Sequence, residues 1–116
     1  MEFVRVASRT DLPSNKMALV KVGDQQILLA NVDGTYFAIA NKCTHAGGSL
    51  VNGTLEGTCV RCPRHGALFD LRTGRNMEPA KLGFLKIKLR DEDSFPVKVE
   101  GEDIFVSTER IFEAEW

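Results

Sequence analysis

Uninterrupted runs of Ala, Val, Ile, Leu, Met and Phe in this chain are at most four residues long: Met17 to Val20, Ile27 to Ala30 and Phe37 to Ala40. A membrane-crossing helix needs about 20 in succession, so a helical membrane span is excluded. Between the runs, turn signals recur at short intervals, among them Gly23–Asp24, Asp33–Gly34, Gly74, Pro79 and Gly101. Segments of four to eight residues, rich in Val, Ile, Leu and Phe and separated by such turns, favour an all-β sandwich or barrel. The 116 residues, 43% hydrophobic and 27% charged, suffice for one modest core, and neither disorder nor a collagen-like chain has this composition.

The strands can be placed from the pattern. Phe3 to Val6 opens the first, and Asp11 to Ser14 is a turn or a single helical turn. Met17 to Val22 and Gln25 to Val32 follow, joined at Gly23–Asp24. Asp33–Gly34 is a strong two-residue hairpin signal returning into Thr35 to Ala40. From Asn41 to Gly57 the chemistry is that of a loop. Two brief strands, Thr58 to Arg61 and Ala67 to Leu71, flank Cys62–Pro63–Arg64–His65–Gly66. A loop with Gly74 and Pro79 precedes a strand over Phe84 to Leu89, and Phe95 to Val99 with Ile104 to Val106 closes the sheet as a hairpin. In the tail, Phe112 and Trp116 stand four apart, as on one face of a short helix that covers a sheet edge.

The formal charge of −1 conceals a division. Residues 1–40 are neutral, 41–90 carry nine basic against three acidic residues, and 91–116 carry nine acidic against two basic. A basic middle can steer an acidic protein partner. There is no overall basic excess and no stripe of Lys and Arg interleaved with aromatics, which argues against nucleic acid. Met1 leads straight into the first strand, leaving no room for a signal peptide. The expectation is a soluble cytoplasmic protein.

The chain has three cysteines and two histidines, and both histidines lie beside cysteines. An odd thiol count without an export signal argues against a disulfide framework. Cys43–Thr44–His45 and Cys62–Pro63–Arg64–His65 are separated by 16 residues, room for a loop and a strand. Two thiolates and two imidazoles on paired loops make a four-ligand metal site. Zinc accepts the same donors, so a zinc-stabilised β module used for binding stays open. Zinc fingers, however, usually pair Cys with Cys and His with His, whereas each loop here mixes the two. Cys59 reads as a small core residue rather than half of a Cys-x-x-Cys redox pair, because no βαβ pattern surrounds it.

The C-x-H and C-x-x-H pair, the glycine after each loop, the Phe69–Asp70 pair and the Gly74 to Pro79 loop resemble the Rieske [2Fe–2S] proteins, soluble low-potential ferredoxins in particular. The resemblance implies an antiparallel β-sandwich or barrel with a small cluster-binding subdomain over 41–82. Base sheets would lie in 1–40 and 83–107, with a tail over 108–116, all in one domain. It implies that Cys43 and Cys62 bind one iron and that His45 and His65 bind the other, which lies nearer the surface and gains the electron. Two ferric ions, two sulfides, two thiolates and two neutral imidazoles sum to zero charge. A four-cysteine site would be two charges lower, so the histidine ligands raise the potential, to about −150 to +300 mV.

High-potential members carry an additional cysteine in each loop, joined as a disulfide, where this chain has Gly48 and Arg64. They also carry a serine and a tyrosine, hydroxyl donors to sulfur, where this chain has Ala67 and Phe69. Losing those donors lowers the potential, so the expectation is the low end of the window.

With both histidines committed to metal, none remains as a general base, and no Gly-rich nucleotide motif follows a strand. The expectation is a one-electron carrier and not an enzyme. By resemblance, its partners are an NAD(P)H-dependent flavoprotein reductase and a terminal oxygenase, with the small Rieske subunit of an assimilatory nitrite reductase as the alternative. The electron would leave by the edges of His45 and His65, rimmed by Ala46, Gly47, Gly48, Pro63, Gly66 and Pro79. Lys42, Arg61 and Arg64 would orient an acidic partner.

Overall fold

Asp33 and Gly34 both take positive φ, 51° and 93°, the pair of angles a two-residue hairpin turn matched to strand twist demands. The turn sets the register of β3 (Gln25–Val32) on β4 (Thr35–Ala40), with Val32 opposite Thr35 and Ile27 opposite Ala40. β2 (Lys16–Val22) pairs along the other edge of β3, and a short β11 (Ser94–Phe95) pairs along the other edge of β4. This computed structural model describes residues 2–41, 49–63, 66–87 and 91–108. The remainder of the tail, with Phe112 and Trp116, lies outside the described residues.

The four-stranded sheet β11-β4-β3-β2 is the middle layer of the molecule. Ile27 and Leu29 of β3, with Ala38 and Ala40 of β4, enter one core with Ile104 and Val106. These last two belong to the three-stranded sheet of β1 (Val4–Ser8), β13 (Asp103–Val106) and β12 (Val97–Glu100). Leu28, Ala30 and Ile39 enter a second core with Leu50, Val60, Cys62, Ala67, Phe69, Leu71 and Ala80. A sheet covered on both faces needs apolar residues on both faces, which is why β3 and β4 carry uninterrupted apolar runs rather than an alternating pattern.

The second core is closed by a smaller antiparallel sheet, β5 (Thr54–Glu56), β6 (Cys59–Arg61), β7 (Leu68–Asp70) and β8 (Asn76–Glu78), in that order. A separate hairpin pairs β9 (Ala80–Leu82) with β10 (Leu85–Ile87) around a Gly83–Phe84 tip. The architecture is all-β and antiparallel in every ladder described. Among the described residues no helix is long and apolar enough to cross a membrane.

Five details differ from the sequence reading. The segment expected as loop after Asn41 contains a 3-10 turn at Leu50–Asn52 and the strand β5. The expected loop between Gly74 and Pro79 contains β8, and the strand expected over 84–89 is instead the second arm of a hairpin whose first arm begins at Ala80. Residues 88–90 lie outside the described residues. The strand expected over 95–99 is two strands in different sheets. Pro96 cannot donate to a ladder, and there the chain leaves β4 to join β13. Arg9–Asp11 forms a 3-10 turn capped by Ser8, starting two residues before the Asp11–Ser14 signal.

Candidate metal centre

Of the four residues expected to hold metal, Cys62 is described, and Cys43, His45 and His65 lie outside the described residues. Lys42, Ala46, Gly47, Gly48 and Arg64 lie outside them too. Cys62 follows β6 directly, and its thiol is 2% exposed within the second core. A thiolate at this depth, in a cluster with Leu50, Val60 and Phe69, needs a cation to offset its desolvation, and a metal centre supplies one. The donor is therefore suited to a cluster iron. Ala67 and Phe69, also fully buried in that core, present no hydroxyl to it.

The turn after Cys62 is closed by the backbone. The Cys62 N–H donates to the Ala67 carbonyl at 2.7 Å, and the Gly66 N–H returns to the Cys62 carbonyl at 3.2 Å. Gly66 takes φ of +75°, a conformation that glycine adopts without strain. Of the expected rim, Pro63 is exposed, while Gly66 and Pro79 are half-buried.

The first loop is pinned at its two ends. Asn41 is 5% exposed; its amide Nδ2 donates to Ser49 Oγ at 2.7 Å, and its Oδ1 accepts from the Val51 N–H at 2.8 Å. One side chain thus ties the residue entering the loop to the two that leave it. Leu50, between those two, is fully buried in the same core as Cys62. Gly53 then brings the chain against β6. A Cβ there would collide with the Arg61 carbonyl oxygen and lie 3.1 Å from that of Leu50.

Arg61 binds this frame from outside. Its Nε and Nη2 donate to the two oxygens of Glu56 at 2.6 and 2.8 Å. Its Nη1 donates to the Gly66 carbonyl at 2.8 Å and to Glu78 Oε1 at 3.3 Å. The guanidinium holds the Glu56 carboxyl below the usual carboxylate range. Expected as a docking cation, Arg61 is paired with two carboxylates of its own chain, Glu56 and Glu78, and its side chain is 28% exposed. Asn76 supports the neighbouring strand, with Nδ2 reaching the carbonyls of Leu68 and Glu78 across a bulge in the β7–β8 ladder.

Cys59 departs from its expected place in the core. It is half-buried and alternates away from Val60, which enters the core. Burial, followed by the Asp70 charge, pushes its thiol up, so it is a poor nucleophile. The Phe69–Asp70 pair divides its work. Phe69 fills the core, and Asp70 closes the turn at the other end of β7 by accepting from Arg72 through its backbone N–H at 2.9 Å and its guanidinium at 3.0 Å. A cleft lined by Tyr36, Arg72, Glu92 and Phe95 opens at that end, one strand length from Cys62.

Asn41, Gly53, Arg61 and Asn76 were not singled out as supports of the site from sequence. Each has at least one partner eight or more residues away, and no local pattern marks them.

Comparison with known proteins agrees with this geometry. The Rieske [2Fe–2S] domain model matches residues 2–83. Biphenyl 2,3-dioxygenase, ferredoxin component, of Rhodococcus jostii (strain RHA1) is 37% identical over 94% of this chain and 95% of that protein. The ferredoxin of carbazole 1,9a-dioxygenase from Nocardioides aromaticivorans IC177 shares the fold, with a TM-score of 0.80 over 94% of this chain and all of that one at 24% identity. A chain in the solved complex of reduced oxygenase and oxidized ferredoxin in carbazole 1,9a-dioxygenase matches at 27% identity and a TM-score of 0.75, covering 96% of this chain and 97% of its own. The chain belongs to the Rieske [2Fe–2S] domain family.

Proposed function

We propose that this protein is the ferredoxin of an oxygenase system, carrying one electron at a time from an NAD(P)H-dependent flavoprotein reductase to a terminal oxygenase in the cytoplasm. Cys43 and Cys62 hold one iron and His45 and His65 the other, within a cluster-binding subdomain over 41–82 that rests on sheets from 1–40 and 83–107. When bound, the cluster supplies a one-electron couple whose potential its two imidazoles raise above that of a four-cysteine site.

The residues of the chain do the rest. The second core buries Cys62, and Asn41 fixes the ends of the loop that carries the first Cys–His pair. The observation that carries the reading is the meeting of both loop bases at one apolar core, with a buried thiol at the base of the second. The oxygenase role is supported by a relative of nearly the same length that is itself a dioxygenase ferredoxin component.

The test is chemical analysis with EPR of the reduced protein. Two iron and two acid-labile sulfide per chain, with the signature of mixed His and Cys ligation, are expected. Loss of both iron and sulfide from Cys43→Ser and His65→Asn would follow. A colourless protein holding zinc would overturn the reading. Electron delivery is checked with the reductase and oxygenase of the biphenyl dioxygenase system, where no product above a ferredoxin-free control would remove the oxygenase role.

A further inference from the structure

We propose that Arg61 is a positioning residue for the second ligand turn: its guanidinium holds Gly66, at the far end of that turn from Cys62, in place relative to the strand that leads into Pro79. The inference rests on the reading of Cys62 and His65 as ligands and goes beyond it.

Three structural elements converge on this one side chain. Glu56, at the end of β5, takes Nε and Nη2 in a bidentate pair at 2.6 and 2.8 Å. That fork orients the guanidinium plane and leaves Nη1 aimed across the turn. There it donates to the Gly66 carbonyl at 2.8 Å and to Glu78 at the end of β8 at 3.3 Å. Gly66 is the residue at which the chain reverses, and its N–H is already bound to the Cys62 carbonyl. With the Arg61 bond, both polar groups flanking the reversal are held. Pro79 follows Glu78 immediately, so the same cation fixes the distance between the ligand turn and the proline expected at its rim.

A single exposed ion pair would give little. This arrangement differs because the planar fork is used in full and one of its four bonds lands on the turn backbone. A lysine can keep the charge but cannot reproduce the fork. Charge and geometry therefore separate by substitution. Arg61 with Glu56 and Glu78 carries a net −1, so Arg61→Gln, which removes the cation, leaves a net −2 beside the site, whereas Arg61→Lys leaves the charge unchanged.

The experiment compares the iron-loaded parent with Arg61→Lys, Arg61→Gln and Glu78→Gln. Iron release to a chelator is followed by visible bleaching, alongside the EPR spectrum and the reduction potential. Loss of an outer partner of a metal ligand costs about 10–100-fold in affinity. Arg61→Lys is expected to release iron roughly tenfold faster, with altered g-anisotropy and an unchanged potential. Arg61→Gln is expected to do the same with a lowered potential. Glu78→Gln keeps the Glu56 fork, so it stays folded if Arg61→Gln does not, and is expected to release iron faster than the parent.

A role in overall stability alone would lower the unfolding midpoint and leave the EPR of the folded protein unchanged, and that result overturns the proposal. Release rates and spectra matching the parent in all three variants overturn it as well. The parent's own iron and sulfide content decides the ligand reading separately: an iron-loaded parent with indifferent variants sinks only the role of Arg61.

Discussion

Gly53→Ala should be among the most damaging glycine substitutions in this protein, although Gly53 does not need glycine's backbone freedom. Its φ of −85° is open to any residue. The demand is for space, because a Cβ would stand far inside the 3.4 Å where ordinary contact with the Arg61 carbonyl begins. Both colliding groups belong to backbone, so neither can rotate aside, and the Leu50–Asn52 turn must move away from β6. Overpacking of this kind costs about 1–3 kcal/mol. The Gly53 N–H bond to the Leu50 carbonyl at 2.9 Å sits in the displaced segment and adds about 1 kcal/mol if lost. The expected cost is therefore about 2–4 kcal/mol.

Gly57 supplies the control. Its φ is +62° but nothing lies within 4 Å of its would-be Cβ, so Gly57→Ala carries only the left-handed penalty of about 1–2 kcal/mol. Urea unfolding of both variants, with iron release measured in parallel, decides the matter. Gly53→Ala should unfold at the lower midpoint and lose iron faster, while Gly57→Ala holds iron like the parent. Equal costs, or a milder Gly53→Ala, would refute the claim that close approach of the two loop bases matters here.

Asn41→Ala removes two hydrogen bonds and should cost about 2–3 kcal/mol, while Asn41→Asp, which can still accept from the Val51 N–H, should lose less. Equal urea midpoints for the two would contradict the pinning of the first loop. Asp70 gives a pH response. The Arg72 side chain holds its carboxyl below the ordinary 3.8, against the opposing effect of burial. Because the folded value lies below the unfolded one, this contribution is complete above the unfolded value and is lost as pH falls through the folded one. Asp70→Asn should cost about 1–3 kcal/mol near neutrality and flatten the acid limb of the stability curve; an unchanged acid limb would remove Asp70 from it. The reduction potential should lie at the low end of the range of about −150 to +300 mV, since Ala67 and Phe69 offer no hydroxyl to sulfur. A titration giving a value well above zero would contradict that.

Much of the middle sheet was legible in the chain because its signals are local. Asp33–Gly34 marked the β3–β4 turn, and the β4 boundaries fall where the residues suggested. What the runs in β3 and β4 meant was not legible. A strand apolar on both faces has no period to reveal which residues share a core, and only the structure separates Leu28 and Ala30 from Ile27 and Leu29. The three-residue strands β5, β8 and β9 are too short to show alternation. Cys59 misled for a related reason: its small apolar character suited the core, but one step of alternation from Val60 puts it on the other face.

The site divides along the same line. Donor residues show in sequence because ligand spacing within a loop is a covalent constraint, so a thiol and an imidazole two or three residues apart are visible without a fold. The parts that hold the loops are joined only by folding: Asn41 to Val51 across 10 positions, and Arg61 to Glu78 across 17. Asn, Gly and Arg are ordinary residues for a loop or a surface, and each gains its role from a partner that only folding brings to it. Substitution of a donor should therefore remove the centre, whereas substitution at Asn41, Gly53 or Arg61 should leave a centre of the same kind that is released faster. The two groups are separable by comparing iron content as purified with iron release over time.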